Sequence, residues 1–118
     1  MALQDKARNL HAAKLTEGRE KGDLKELIAT YKDGVKIVGA EILKDVKRGT
    51  EYVIVICDEE PATFYFGGSV VTNFFRELIA TCGSKEEFDA EIANEGLNVK
   101  FEQVRSKNGN VYVSIKAL

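Results

Sequence analysis

The chain has 118 residues, of which 44% are apolar and 31% charged, with one proline and a formal net charge of −2. This is the composition of a single globular domain, and it excludes a disordered or low-complexity chain. No apolar run approaches the ~18 residues that a membrane helix needs. The first residues also lack the apolar core of a secretory signal, so we expect a cytoplasmic protein of a bacterial cell with no membrane contact.

The cysteines and the single histidine argue against metal and redox sites. Cys57 and Cys82 lie inside apolar runs without paired spacing, which predicts free buried thiols. His11 has no Cys/His cluster around it, which excludes a structural zinc site. The acidic run 58–60 places its carboxylates side by side in a turn, where they do not point to one centre. We therefore expect neither a metal nor a cofactor.

Residues 1–22 differ from the rest of the chain because they are rich in charges and contain only scattered apolar residues. Leu3, Ala7 and Leu10 form a weak helical stripe that Leu15 does not continue. We predict a flexible N-terminal arm or a frayed helix here, followed by a single domain over residues 23–118.

Three helices are predicted in that domain. Asp23 begins the first with capping-box spacing, and its apolar face ends near Tyr31. Apolar residues at helical spacing predict the second over 71–82. A second capping box, from Ser84 to Glu87, begins the third, which ends at a glycine.

Five strands complete the predicted elements. The first three are expected over 35–43, 51–57 and 62–66, with a bulge or bend at Gly39. The last two form a hairpin whose arms, 97–102 and 111–116, alternate cleanly between apolar and polar residues. The Asn108-Gly109 pair between them favours a type I′ turn.

The resulting order, α-β-β-β-α-α-β-β, is that of the OB-fold, a five-stranded, partly open Greek-key barrel with a helix between its third and fourth strands. Gly39 lies where the first strand of such a barrel must coil. We therefore predict a mostly β, OB-fold-like five-stranded barrel with a helical insert. An SH3-like barrel and an open α+β sheet are the alternatives.

The sequence contains no motif that points to catalysis. It has no nucleophile elbow, P-loop or dinucleotide fingerprint, so we expect a protein that is not an enzyme. Gly67-Gly68, directly before a helix, could hold an anion, but two glycines are a weak signal and a tight strand-to-helix turn is the favoured explanation.

Binding of single-stranded nucleic acid fits the pattern better, because an OB-fold binds strands on its second and third strands, between two loops. Basic residues occur in both predicted loops and on the last hairpin, and tyrosines occur on predicted outer faces, where bases could stack. The candidate binding residues are Lys44, Lys47, Arg48, Tyr52, Tyr65, Lys100, Arg105, Lys107, Tyr112 and Lys116. The expected ligand is single-stranded DNA, with RNA as the alternative, bound by a homo-oligomer with little sequence preference.

The main alternative is a protein-interaction module or an inhibitor that docks on a host or phage partner. The predicted helix over 85–95 carries five acidic residues against one lysine, a net charge of −4 in this segment. A partner could bind this acidic helix, although a solvated face is the favoured explanation of the charges.

The stretch from Leu24 to Leu118 resembles small proteins encoded by phages and mobile elements of Gram-positive bacteria. The resemblance depends on the segments YKDGVKIVGAEIL, EEPATFYFGG and NGNVYVSI. Some of these proteins look like OB-fold single-stranded DNA-binding proteins, so the resemblance implies a role in replication or recombination. It supplies no mapped DNA contacts.

Overall fold

A computed structural model describes residues 3–118 and shows an α/β fold with four helices and a six-stranded, open, mixed sheet. The elements follow one another as α1 (Leu3–Thr16), β1 (Glu20–Lys21), α2 (Leu24–Thr30), β2 (Val35–Lys44), β3 (Glu51–Cys57), β4 (Thr63–Gly67), α3 (Ser69–Thr81), α4 (Lys85–Asn94), β5 (Leu97–Arg105) and β6 (Val111–Ala117).

The prediction of a closed five-stranded barrel is wrong. The strands are ordered β1-β4-β3-β2-β5-β6, and within the described residues the two outer strands do not pair with each other. The short strand β1 pairs in parallel with β4, through Glu20 with Thr63 and Lys21 with Phe64. It pairs with the edge of β4 at which a barrel would close. The sheet therefore ends at β1 and stays open.

The two faces of the sheet are covered differently. The inner face, which includes Val53 and Val55 of β3, packs against α2, α3 and α4 around the fully buried Phe75. The outer face includes Ile54 and Ile56 of β3, and α1 lies against it across β2 and β4. The core therefore occupies the space between the sheet and three helices, while α1 forms a separate layer.

Local sequence signals explain most element ends. The Asp23 side chain accepts a hydrogen bond from the Lys25 N–H and begins α2, and the Ser84 hydroxyl accepts one from the Glu87 N–H and begins α4. In β2, the pairing with β3 shifts between Ile37 and Gly39, which confirms the predicted bulge.

The turn of the last hairpin differs from the sequence prediction. Within this loop, Gly109 has a positive φ of 82° but Asn108 does not, so Asn108-Gly109 is not a type I′ turn, which needs a positive φ at both residues. The Gly109 N–H instead donates to the Ser106 carbonyl, and the Ser106 N–H donates to the Asn110 carbonyl. The loop is thus longer than the two-residue turn that the dipeptide suggested.

The segment predicted as a flexible arm, residues 1–22, contains α1 and β1, and its first two residues lie outside the described part. Gly22 follows β1 and passes so close to β4 that a Cβ there would lie 2.4 Å from Thr63 Cγ2 and 2.5 Å from Tyr65 Cε1. Only glycine allows this approach, which explains how two charged residues can add a strand to the sheet.

Candidate functional site

Helix α1 covers most of the face that the barrel prediction assigned to a nucleic-acid strand. Ile54 and Ile56 on the outer face of β3 are 3% and 2% exposed. Above them, Ala12 of α1 is buried, and a Cβ at Gly39 would come within 3.1 Å of Leu15 Cδ2. The outer face of β3 is therefore not available as a binding surface while α1 is in place.

Polar contacts hold α1 in this position. His11 Nδ1 lies 2.9 Å from Glu41 Oε1, and Lys85 Nζ lies 3.3 Å from the same oxygen. One turn before His11, Arg8 Nη1 lies 3.4 Å from the carboxylate of Glu51. Both ion pairs made by α1 are therefore with strands of the sheet, and α4 reaches this contact only through the shared Glu41 carboxylate.

The three predicted stacking tyrosines lie in three different environments. Tyr65 is opposite Val55 and faces inward, where it is 5% exposed, so its prediction as an exposed stacking platform is wrong. Tyr52 faces outward and makes an edge contact with Phe66, with ring centroids 5.4 Å apart. Tyr112 faces outward on β6 and is 41% exposed.

The predicted basic residues do not gather around one cleft. Lys44 borders a cleft of about 340 Å³ between the end of β2 and α1, which includes Asp5 and Arg8. Lys47 and Arg48 follow it, exposed, in the turn between β2 and β3. The β5–β6 hairpin borders a different groove, so the expected pair of loops flanking one strand is not formed by these residues.

On the outer face of the last hairpin, lysines pair with a carboxylate. Lys100 and Lys116 are opposite each other in the β5–β6 register. Their Nζ atoms lie 3.6 and 3.5 Å from Glu102 Oε1. Arg105 and Lys107 are exposed at the tip of the same hairpin. This surface therefore keeps a positive charge that Glu102 only partly neutralises.

The structure does bring aromatic and basic residues together in one groove, of about 660 Å³, between β6 and the segment that joins β1 to α2. Its aromatic members, Phe66 and Tyr112, are both more than one-third exposed. The residues that give the groove its character are the basic Lys21 and Lys25, the acidic Asp23 between them, and the apolar or aromatic Phe66, Val70, Val111 and Tyr112. We call this set the β6 groove.

Neighbouring elements position the aromatic wall of the β6 groove. Phe66 lies opposite Ile54 and therefore faces outward, where its ring makes T-shaped contacts with Tyr52 and Phe64. Lys21, in β1, places its Nζ 5.0 Å from the centroid of the Phe66 ring, which is a cation–π contact. The ring is therefore held by T-shaped contacts with its aromatic neighbours, and the Lys21 ammonium lies over one of its faces.

The N-terminus of α3 forms another wall of the groove. Its N-cap is Gly68, so no side chain satisfies the first N–H groups of the helix. Thr72 fixes this end of α3, because its hydroxyl accepts a hydrogen bond of 3.0 Å from the Val53 N–H. Backbone donors at a helix N-terminus attract anions, and here they lie beside two lysines.

Between residues 3 and 118, no three His, Cys, Asp or Glu side chains lie together in a way that could hold a metal ion. Over the same range, none of the helices combines the length and apolar character needed to cross a membrane. Burial raises the pKa of the Cys57 thiol to about 12, so this cysteine is a poor nucleophile.

Comparison with protein-family models, with curated proteins and with solved structures gave no match to this chain.

Sequence reasoning missed Lys21, Lys25 and Phe66 as possible binding residues. Lys21 and Lys25 lie on either side of the boundary assumed between arm and domain. For β4, every residue from Phe64 to Phe66 is aromatic, so alternation could not tell the inner face from the outer face. The sequence signal that did point to this groove was Gly67-Gly68, which directly precedes the N-terminus of α3.

Proposed function

We propose that this protein binds single-stranded DNA without catalysing a reaction, and that the strand lies in the β6 groove. The observation that supports this most strongly is the pairing of exposed aromatic rings, Phe66 and Tyr112, with Lys21 and Lys25 along one groove. Aromatic rings hold bases by stacking while cations hold the backbone, and neither contact depends on base identity. Little sequence preference is therefore expected.

The phosphates would be held at the lysine side of the groove. A base that stacks on Phe66 would replace the Lys21 ammonium, which could then pair with a phosphate. The free N–H groups at the start of α3 would add donors for a second phosphate. RNA remains the alternative ligand, because nothing in this set of contacts requires the sugar to lack a 2′-hydroxyl.

Only some of the basic residues predicted from the sequence lie near the proposed path of the DNA. Arg105 and Lys107 belong to the hairpin that borders the groove, so they are proposed to attract the flanking backbone. Lys44 borders the separate cleft beside α1 and is no longer included, together with its neighbours in the turn. Tyr65 is excluded because it is buried. The resemblance to phage and mobile-element proteins suggests replication or recombination as the context.

One observation favours the alternative of a protein-docking helix. Lys85 is the only basic residue of α4, and it pairs with Glu41 and Asp89. It is therefore turned toward the sheet and leaves the exposed acidic residues of α4 without a compensating charge. The acidic residues concerned are Glu86, Glu87, Glu91 and Glu95.

Titration of a labelled single-stranded oligonucleotide, followed by fluorescence anisotropy at several salt concentrations, tests the proposal. Two phosphate contacts would give a slope of about −1.4 for log affinity against log salt. Lys25→Ala is expected to weaken binding and to reduce this slope by about 0.7. Lys32→Ala is the matched control, because Lys32 is also exposed but is not a groove residue. Equal effects of the two variants, or tighter binding to duplex DNA, would contradict the proposal.

A further inference from the structure

A small apolar pocket lies between the C-terminal halves of α3 and α4 and the start of β5. Its apolar walls are the buried Phe88 and Ile92 and the partly buried Leu78 and Leu97. The volume of this α3–α4 pocket is about 160 Å³. An apolar cavity of ~150 Å³ holds a ring the size of benzene, whereas drug-sized ligands need ~300–1,000 Å³. The α3–α4 pocket therefore fits one side chain of a partner rather than a whole small-molecule ligand.

Two glutamates give the rim of the α3–α4 pocket a negative charge. Glu91 and Glu95 line the pocket, and both are exposed. The Cys82 thiol, at the end of α3, donates to Glu91 Oε2 over 3.4 Å. Lys36 packs its stem on Gly96, where a Cβ would lie 2.3 Å from Lys36 Cε. Within residues 3–118, however, neither glutamate forms an ion pair with this lysine or with any other basic side chain. The rim thus offers two carboxylates to an external cation.

Both helices contribute their C-terminal ends to the α3–α4 pocket. Leu78 belongs to the last turn of α3, Cys82 is its C-cap, and Glu95 is the C-cap of α4. A helix C-terminus carries a partial negative charge that favours a cation nearby. Neither α3 nor α4 has a basic residue in its last turn. The two helix dipoles and the two carboxylates therefore favour a cation at the same place.

This arrangement of charges is unfavourable for the helix itself. Glu87, Glu91 and Glu95 follow one another at intervals of four residues, so they are neighbours on one side of α4. Like charges at this spacing destabilise a helix, and acidic residues near its C-terminus oppose the dipole. Local conflicts of this kind are expected where a residue serves function rather than folding.

We propose that the α3–α4 pocket receives an arginine side chain from a basic segment of a partner protein. The apolar walls fit the aliphatic stem, while the guanidinium would lie at the charged rim. Glu91 and Glu95 are about one helical turn apart, and the five donors of a guanidinium can bridge two such carboxylates. A lysine has the stem and the charge but not the planar fork, so arginine should bind more tightly.

The α3–α4 pocket is separate from the β6 groove. The groove includes the N-terminal residues of α3 and the pocket includes its C-terminal residues, and a helix of 13 residues is ~20 Å long. DNA and a partner protein can therefore bind to one molecule at the same time. The inference does not depend on DNA binding. A protein that binds arginine but no DNA would refute the proposed function alone, and the reverse result would refute the arginine pocket alone.

An NMR titration with a blocked tripeptide tests the pocket directly. The probe is acetyl-Gly-Arg-Gly-amide, and its matched control is acetyl-Gly-citrulline-Gly-amide, which has nearly the same shape without the charge. We expect the arginine peptide to cause saturable shifts of the backbone amide signals of Cys82, Ile92 and Gly96, and the citrulline peptide to cause little change. Equal shifts with both peptides, no saturable shift up to ~10 mM peptide, or shifts confined to other parts of the chain would overturn the proposal.

Variants of α4 distinguish a specific pocket from a general attraction to an acidic helix. Glu91→Gln and Glu95→Gln should each raise the dissociation constant of the arginine peptide about two- to fivefold. Glu86→Gln is the matched control, because Glu86 is an exposed acidic residue of the same helix but does not line the pocket. Its dissociation constant should equal that of the parent. Equal weakening in all three variants would mean that only the overall charge of α4 attracts the peptide, which would contradict the proposal.

The melting temperatures of the same proteins, measured without peptide, give a second readout. Glu95→Gln should raise the melting temperature by about 1–3 °C, because it removes a like charge next to Glu91 and a charge that opposes the dipole. Glu86→Gln should lower it, because Glu86 lies in the first turn of α4, where the dipole favours an acidic residue. A lower melting temperature for Glu95→Gln would show that this carboxylate serves the fold and would count against the proposal.

Discussion

Nδ1 of His11 lies 2.9 Å from Oε1 of Glu41, whose side chain is 3% exposed. The other carboxylate oxygen of Glu41 accepts a hydrogen bond of 2.9 Å from the Ile42 N–H. The carboxylate thus satisfies a backbone donor of β2 and at the same time holds the only histidine of the chain. Glu41 is therefore the main polar anchor between α1 and the sheet.

Replacing this anchor should loosen α1. Glu41→Ala would leave the Ile42 N–H without its acceptor and the Lys85 ammonium without a buried partner. We expect a loss of about 1–3 kcal/mol in the free energy of unfolding, measured by chemical denaturation. Compared with the parent, hydrogen exchange in α1 should also become faster, and the increase should be larger in α1 than in the core strands.

Leu10→Ala is the matched control on the same helix, because Leu10 is 62% exposed. It should change the unfolding free energy by less than about 0.5 kcal/mol. If Glu41→Ala were as stable as Leu10→Ala, with unchanged exchange in α1, the anchoring role of Glu41 would be excluded.

The centre of the core is expected to be sensitive at one phenylalanine of α3. Phe75 is fully buried and makes edge contacts with Phe74 and Phe88, at ring-centroid distances of 5.3 and 6.3 Å. Phe75→Ala should cost about 3–5 kcal/mol in the unfolding free energy, because it leaves a large cavity. Val70→Ala, at an exposed position of the same helix, should cost far less. Similar melting temperatures for the two variants would show that the buried face of α3 has been assigned to the wrong residues.

Helices and central strands were predictable because each depends on nearby residues. Ser84 and Glu87 identify the start of α4, and the bulge at Gly39 follows from a glycine within a strand pattern. The predicted bounds of β3, 51–57, agree with Glu51–Cys57. These features require no information about distant parts of the chain.

Whether the sheet closes into a barrel depends on tertiary contacts, which the pattern of neighbouring residues in the sequence does not predict. Strand β1 consists of Glu20 and Lys21, which have no strand-like character, and it forms only because β4 offers an edge and Gly22 allows a close approach. The position of α1 depends on pairing between His11 and Glu41, which are 30 residues apart. Both effects are tertiary, so a local sequence pattern could predict neither of them.

The candidate site was only partly predictable for the same reason. Tyr112 was correctly placed outward, because its strand alternates apolar and polar residues. Tyr65 was placed outward in error, because β4 has aromatic residues on both faces. The groove also needs Lys21 and Lys25, which come together with β6 only in the folded chain.

The buried position of Tyr65 has a consequence at alkaline pH. Burial raises the pKa of Tyr65 from its ordinary value of 10.0 to about 12. Below the unfolded pKa the phenol is neutral in both states, and its stabilising contribution is fully present. As the pH rises from 10.0 toward 12, the unfolded state ionises first, and this stability is lost.

Tyr65→Phe should therefore lose less stability than the parent between these two pH values. Urea denaturation at several alkaline pH values measures the difference, and the buried Cys57 thiol is common to both proteins. A parallel decline in the two proteins would mean that Tyr65 ionises as easily in the folded state as in the unfolded one.

The most direct measurement of the central claim is the affinity for a labelled single-stranded oligonucleotide after removal of the two groove rings. We expect Phe66→Ala and Tyr112→Ala each to weaken binding by about 1–3 kcal/mol, while Tyr112→Phe keeps most of the affinity. Circular dichroism should show the fold intact in all three variants, because both side chains are more than one-third exposed. A folded double variant, Phe66→Ala with Tyr112→Ala, that binds the oligonucleotide as tightly as the parent would contradict the account.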